Sequence, residues 1–434
     1  MASRRSFRVQ ALLELDKTKD IDPTVSRFFR RNFIANALDL TFFSFGESLA
    51  NPRTILPVFA STLTTSPFLI GLIPILNDVG WSLPQIFFSR FSARLKRKLP
   101  TVLALGVLER LPFLLFGLLA LQVMVLPANT AVILLLLAVS LRSFSAGAVG
   151  LPWQEMIANI IPAGRRGSFF GTGFLLGQIA GIAGSGIVAY LLAEKAYPEG
   201  YAISFFAAFG AMIVSWFLMC LTKEPDQAST NRGFPQDQKY GLQGAVAILK
   251  ENQNFRRYLI SRGLFVIGFM AMAYLAVYAV QSFHLSEEYA AIFSGVMLGG
   301  ALIGNIAGAA LSDRHGSKTA LLLATVIWAA ALVVALLAAS WEVFLLVFFL
   351  LGMSNSANTV GDLSIAMDFS TGADRPVYVG TARSMAGFIT LPTPFVAGLL
   401  IRAGGYSLMM GVALVFVLLS MFVLWRFVRE PRQA

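Results

Sequence analysis

The chain has 434 residues, 56% of them hydrophobic and 13% charged, with a mean hydropathy of +0.71 and a formal net charge of +11. Soluble domains carry about a quarter charged residues, so this composition excludes an ordinary soluble protein. The basic excess does not point to nucleic acid either, because Lys and Arg stand in short groups between apolar blocks rather than on one polar segment.

Residues 1–31 hold eight basic and four acidic side chains and no apolar run, so no cleavable leader is expected and the first block acts as its own insertion signal. Crossing a bilayer takes about 20 apolar residues per helix. Twelve such blocks follow, near 32–60, 68–89, 99–123, 129–150, 168–193, 201–222, 257–281, 288–311, 319–339, 342–362, 378–402 and 405–427. Runs such as Leu134-Leu135-Leu136-Leu137 do not alternate, which excludes a barrel strand and leaves helices to satisfy the backbone in lipid. The expected fold is therefore an all-α integral membrane protein.

With the N-terminus inside, 27 of the 34 Lys and Arg fall on the cytoplasmic side and two, Lys195 and Arg402, outside; this predicts an N-in, C-in chain in the inner or plasma membrane. The remaining five, Arg53, Arg110, Arg142, Arg262 and Arg383, lie within apolar blocks. Cys220 stands alone in block 6, which excludes a disulfide framework.

The blocks repeat. Phe29-Arg30-Arg31-Asn32-Phe33-Ile34 is echoed by Phe255-Arg256-Arg257-Tyr258-Leu259-Ile260, a separation of 226. Arg94 then matches Arg314 at 220, the stretch 143–150 matches 354–361 at 211, and Arg166 matches Arg375 at 209. Two six-block units in the same orientation predict bundles over 32–222 and 255–427, joined by a polar linker at 223–254 and flanked by segments 1–31 and 428–434. The first drop, from 226 to 220, falls across the interval that contains the interrupted Glu47–Arg53 stretch of block 1.

Blocks 2 and 3 are joined by Phe91-Ser92-Ala93-Arg94-Leu95-Lys96-Arg97-Lys98, and blocks 8 and 9 by Leu311-Ser312-Asp313-Arg314-His315-Gly316-Ser317-Lys318. In this plan the chain resembles the major facilitator superfamily, whose cytoplasmic motif G-x-L-A-D-R-x-G-R-K stands between helices 2 and 3 and recurs between helices 8 and 9. The second copy keeps Asp313, Arg314 and Gly316; the first keeps Arg94 but has Ala93 for Asp and Lys96 for Gly. The resemblance implies a twelve-helix transporter in two pseudo-symmetric bundles, with Arg94, Asp313, Arg314 and Gly316 as a gating motif and helices 1, 4, 7 and 10 around a central cavity.

Gly316-Ser317-Lys318-Thr319 is not a phosphate-binding loop, which needs Gly directly before Lys and a preceding strand. With two His and no zincin, Cys/His or nucleophile-elbow pattern, no metal, cofactor or enzymatic activity is expected.

Charges inside membrane helices are costly and face a cavity or a partner, so they are the candidates for mechanism. Asp39 and Glu47 share one side of helix 1, about 80° apart at 100° per residue. Pro52 interrupts that helix at Glu47–Arg53, either as a kink with Arg53 reaching outward or as a cavity site. Arg142 is similar to the family's helix 4 arginine of proton-coupled antiporters, although the Gln-Gly pair and the helix 5 Gly-Pro signature are absent; its counterpart is Met353. Asn355, Asn358 and Asp362 line one face of helix 10, while Asp78 on helix 2 and Arg383 on helix 11 stand on helices that border the family's cavity. Glu109 and Arg110 read as a structural pair, Arg262 as a side chain reaching the cytoplasmic surface, and Gly173, Gly177, Gly181 and Gly184 as a close-contact stripe.

The expectation is a monomeric secondary transporter of a small organic solute, coupled to the proton gradient through Asp39, Glu47 or Asp78. Phe42, Phe43, Phe45 and Phe144 tilt it toward efflux of amphipathic compounds. Uptake by symport or uniport, and a non-transporting membrane assembly or receptor factor on the same fold, stay open.

Overall fold

In the computed structural model, which describes residues 23–225, 242–369 and 375–431, every regular element is helical. The first half comprises α1 (Pro23–Leu49), α2 (Ile55–Leu63), α3 (Pro67–Arg94), α4 (Leu99–Gln122), α5 (Ala128–Ile160), α6 (Ala163–Glu194) and α7 (Glu199–Cys220). After α8 (Leu242–Glu251), the second half comprises α9 (Gln253–Gly268), a 3-10 turn (Phe269–Ala273), α10 (Leu275–Ser282), α11 (Glu288–His315), α12 (Ser317–Leu337), α13 (Trp341–Asp368), α14 (Arg375–Thr390) and α15 (Thr393–Phe427).

Among the described residues, nine helical runs are long and apolar enough to cross a membrane. One of them, Tyr378–Phe427, contains two legs: Gly404 and Gly405 leave helical geometry, and the φ of 72° with ψ of −174° at Gly405 is open only to glycine. Blocks 1 and 2 are not among the nine. Charged side chains and the break after Leu49 dilute the first, and Asn77, Asp78, Ser82 and Gln85 dilute the second.

Helical boundaries differ from the apolar blocks where amphipathic ends continue the helix. Helix α1, described from Pro23, buries Val25 and Phe29 ahead of the apolar block. Helix α5 runs to Ile160 because Met156, Ile157 and Ile160 bury a further turn. The expected linker holds α8 and the start of α9.

Both halves cross their helices tightly through glycine. A side chain on Gly147 would meet the Gly80 carbonyl at 2.3 Å, and one on Gly80 would meet Ser143, so α3 and α5 touch backbone to backbone. In the second half Gly300 and Gly304 lie against Phe349 and Met353 of α13. Gly80 and Gly300 stand 220 apart, the same separation as Arg94 and Arg314. The helix 5 stripe behaves as expected: Gly173, Gly177 and Gly184 admit Leu40, Ser44 and Ser48 of α1.

The halves close on themselves by matching polar clasps. Asn32 exchanges two hydrogen bonds with the backbone of Lys223, at 2.9 and 2.8 Å, and Asn254 does the same with Arg429, at 2.9 and 2.8 Å. The next residue in each case is a glutamate. Glu224 Oε2 accepts the amides of Lys98 and Leu99 at 2.8 Å each, and Glu430 Oε2 accepts that of Lys318 at 3.0 Å, so each carboxylate caps the N-terminus of its half's third membrane helix. These clasps define one end of the molecule, here called the linker end.

At the opposite, far end the two halves share one apolar core, which joins Leu56 and Phe59 of α2 to Tyr274 and Val277 and to Phe293 of α11. At the linker end the core splits in two. Phe29, Met156 and Phe169 form one cluster and Phe255, Leu259 and Leu424 the other.

Candidate functional site

A cavity of about 240 Å³ lies between the halves. Arg53, Asp78 and Trp81 line it from the first half, and Arg262, Phe265 and Asn358 from the second. Three backbone breaks shape it: the interruption at Ala50–Thr54 exposes Arg53, the 3-10 turn carries Phe269, Met272 and Ala273 to its wall, and the turn at Leu391–Pro392 separates Thr390 from Thr393.

The first half presents a chain of polar contacts. Arg142 forms an ion pair with Glu47 and donates to Asn77 Oδ1 at 2.5 Å. Asn77 Nδ2 donates to Asp78 Oδ1 at 3.2 Å, and Arg53 pairs with the same oxygen at 2.9 Å. The tight α3–α5 crossing sets Asn77 beside Arg142. Three helices and the interruption that carries Arg53 thus connect Glu47 to the cavity wall. Arg53 does not reach outward, because Asp78 supplies a nearer partner.

In the second half Arg262 Nε lies 3.0 Å from Asp362 Oδ1, in ion-pair contact without hydrogen-bond alignment, while its Nη1 donates to Asn358 Oδ1 at 3.0 Å. Tyr258 donates to the same Asp362 oxygen at 2.5 Å. Arg262 therefore does not reach the surface as expected from its place in the sequence; a carboxylate one helix away holds it in the cavity. Asn355 lines the cavity beside Asn358.

Asp39 is placed elsewhere. It is 4% exposed inside the first bundle, accepts from Ser215 Oγ at 2.6 Å and lies 3.7 Å from Arg110. Arg110 also meets Glu109 at 3.1 Å and the Met212 carbonyl at 3.1 Å, beneath the Phe43 ring. This internally paired cluster joins α1, α4 and α7 and is not part of the cavity lining. Glu47, Arg142 and Asn77 do not line the cavity; their contacts reach it at Asp78. Phe42, Phe43, Phe45 and Phe144 do not line it; the wall is mostly apolar, with Phe265, Phe269 and Trp81 on it, and carries the charges of Arg53, Asp78 and Arg262 and the amides of Asn355 and Asn358.

Arg383 donates to Gln85 Oε1 at 3.0 Å across the halves. Asp313 and Arg314 end α11 on the exposed linker end. Gly316 turns the chain with φ of 91°, where a side chain would strike the Glu430 carboxylate at 2.3 Å. The Arg94 side chain lies outside the described residues. The sequence reading did not single out Asn77, Gln85 or Ser294; the polar pair Asn77-Asp78 in an otherwise apolar block was the available signal for the first.

The architecture is matched by solved transporters. A single-residue mutant of the nucleoside transporter NupG aligns with a TM-score of 0.68 and 13% identity over 91% of this chain and 99% of its own. A POT family transporter aligns with a TM-score of 0.70 and 9% identity over 93% and 98%, and the xylose transporter XylE from E. coli with 0.64 and 13% over 93% and 100%. The Major Facilitator Superfamily model matches residues 33–309 and 259–434. The chain belongs to the major facilitator superfamily.

As a member of that superfamily it is a multi-pass integral membrane protein of a transporter family. The glycine betaine/proline/ectoine/pipecolic acid transporter OusA of Dickeya dadantii (strain 3937) is 28% identical over 202 residues. That match spans 43% of this chain and 40% of OusA.

Proposed function

We propose that the protein is a proton-coupled secondary transporter of a small polar solute, with twelve crossings and both termini in the cytoplasm. The observation that carries this reading is the pairing of Arg53 with Asp78 on one half and Arg262 with Asp362 on the other, at the interface cavity and the smaller pocket that shares Arg262 with it. Ion pairs that face a water-filled cavity between two rocking bundles are rearranged by each half-cycle, so a proton or a ligand that competes for either pair biases the cycle. The charge distribution supports a cytoplasmic linker end. A far-end core shared by both halves and separate linker-end clusters then support an inward-facing state.

Asp78 is the favoured coupling carboxylate. Its side chain is 34% exposed, in contrast to the enclosed Asp39, and protonation releases Arg53. The charges of Arg53, Asp78 and Arg262 and the amides of Asn355 and Asn358 on the wall support a cargo with polar groups, and the partial likeness to OusA, named for betaine, proline, ectoine and pipecolic acid, agrees with it.

Purified protein in liposomes with an internal pH dye tests the reading. Glycine betaine, proline, xylose and uridine are offered in turn; proton movement with one of them, lost in Asp78→Asn, is the expected result. Solute flux indifferent to a pH gradient and to Asp78→Asn would remove the coupling, and no flux with any of them would count against transport of this class.

A further inference from the structure

Beside the main cavity, and sharing Arg262, Asn358 and Thr359 with it as lining residues, lies a smaller one of about 140 Å³ between α9, α13 and α14. Arg383 and Asp362 complete its polar wall. The charges around the two spaces are unequal. Arg53 is matched by Asp78 and Arg262 by Asp362, whereas Arg383 contacts a neutral amide, and among the described residues no carboxylate pairs with it. Among the described lining residues the wall therefore carries one positive charge beyond its carboxylates.

The donors around that charge converge. Arg262 uses the Asn358 carbonyl oxygen, which leaves the Asn358 NH2 group as a donor, and the planar guanidinium fork suits a carboxylate's two oxygens. A single negative charge balances the wall; a doubly charged phosphate overshoots it.

We propose that Arg383, Arg262 and Asn358 form a carboxylate-binding subsite, and that the transported solute is a small carboxylate-bearing compound. The rest of such a solute lies toward Phe265, Phe269 and Trp81 in the main cavity. Arg383 then has two partners: Gln85 across the halves when the subsite is empty, and the ligand carboxylate when it is filled. This assignment rests on the transporter reading and narrows its substrate class.

Matched acid and amide pairs test it on the full chain in nanodiscs: proline with prolinamide and benzoate with benzamide, read by thermal unfolding and by tryptophan fluorescence. Each acid is expected to raise the unfolding midpoint and its amide not to. Arg383→Gln should weaken acid binding at least tenfold, Arg383→Lys should retain part of it, and Gln85→Ala should remove the interhalf hydrogen bond while keeping the acid preference. Arg383 is exposed, so its variants are expected to fold, and a circular dichroism melt checks this. Equal binding of acid and amide, no response to either acid, or an acid preference untouched by Arg383→Gln overturns the subsite. Liposome flux separates the two readings. Transport of a neutral solute with Arg383→Gln unaffected sinks the subsite alone, and Arg383-dependent acid binding without any flux sinks the transport reading alone.

Discussion

Asn51 Nδ2 donates to Ser294 Oγ at 2.9 Å, a buried hydrogen bond between the two halves. The same side chain accepts the Arg53 amide through Oδ1 at 2.8 Å, so one residue both fixes the backbone that carries Arg53 into the cavity and ties the halves near the far end. Pro52 forces this arrangement by ending α1 and leaving the interrupted backbone in need of partners.

Asn51→Ala is therefore expected to shift the protein toward states open at the far end. One hydrogen bond is worth about 0.5–1.5 kcal/mol net, which sets the shift at up to about tenfold. Ser294→Ala should produce a similar shift, and the double variant no more than either alone. Distances between spin labels placed on the far-end turns measure the populations; additive effects of the two substitutions would show that they do not act through one contact.

Arg142 and Glu47 form the inner end of the polar chain, and Arg142 also lies 5.6 Å above the Phe113 ring. Removing one partner strands a charge in a low-dielectric interior, a loss on the order of 3–5 kcal/mol. Arg142→Gln should lower the unfolding temperature sharply, and Glu47→Gln in the same chain should restore much of it. Transport should not return, because Asn77 still lacks the donor that orients it toward Asp78. Recovery of flux in the double variant would show that Arg142 serves stability alone.

The helical plan, the duplication and the ionisable side chains were legible in the sequence because membrane insertion and charge burial leave strong compositional marks. Which charges share a space was not. Asp39 and Glu47 sit on one helix, yet Ser215 and Arg110 draw the first into the bundle while Arg142 holds the second near the cavity, and those partners lie roughly 70 to 180 positions away in the chain. Arg262 misled for the same reason: its depth along the helix allowed it to reach the surface, and only the fold shows that Asp362 is nearer. The glutamate caps were hidden because Lys223-Glu224-Pro225 and Arg429-Glu430-Pro431 look like ordinary polar helix ends.

Asp39→Asn and Asp78→Asn test which of the two carboxylates serves stability and which serves coupling. Asp39→Asn removes the negative partner of Arg110 and Ser215 and is expected to reduce stability while leaving the dependence of flux on a pH gradient in place. Asp78→Asn should leave the unfolding temperature within a few degrees, since its pair is part-exposed, and flatten the pH dependence. Parallel melts and flux assays at several pH values make the comparison, and the opposite assignment follows if the two variants exchange phenotypes.

Glu224 and Glu430 provide a test of the repeat at the level of energetics. Each occupies the same place in its half, one residue after a backbone clasp and against a helix N-terminus, although the contacts differ: Glu224 takes two amides and the Asn159 side chain, Glu430 one amide. A charge-assisted hydrogen bond contributes about 1.5–3 kcal/mol, so Glu224→Ala should cost more than Glu430→Ala, and each should exceed an exposed substitution. Gln in place of either Glu keeps an acceptor and removes the charge that complements the helix dipole, so it should recover only part of the loss. The two sites lie in separate apolar clusters, so the double variant should be additive in denaturant or thermal unfolding. Strong non-additivity would mean that the halves are coupled at the linker end as well, and the view of two independently clasped bundles rocking about a shared far-end core would have to be abandoned.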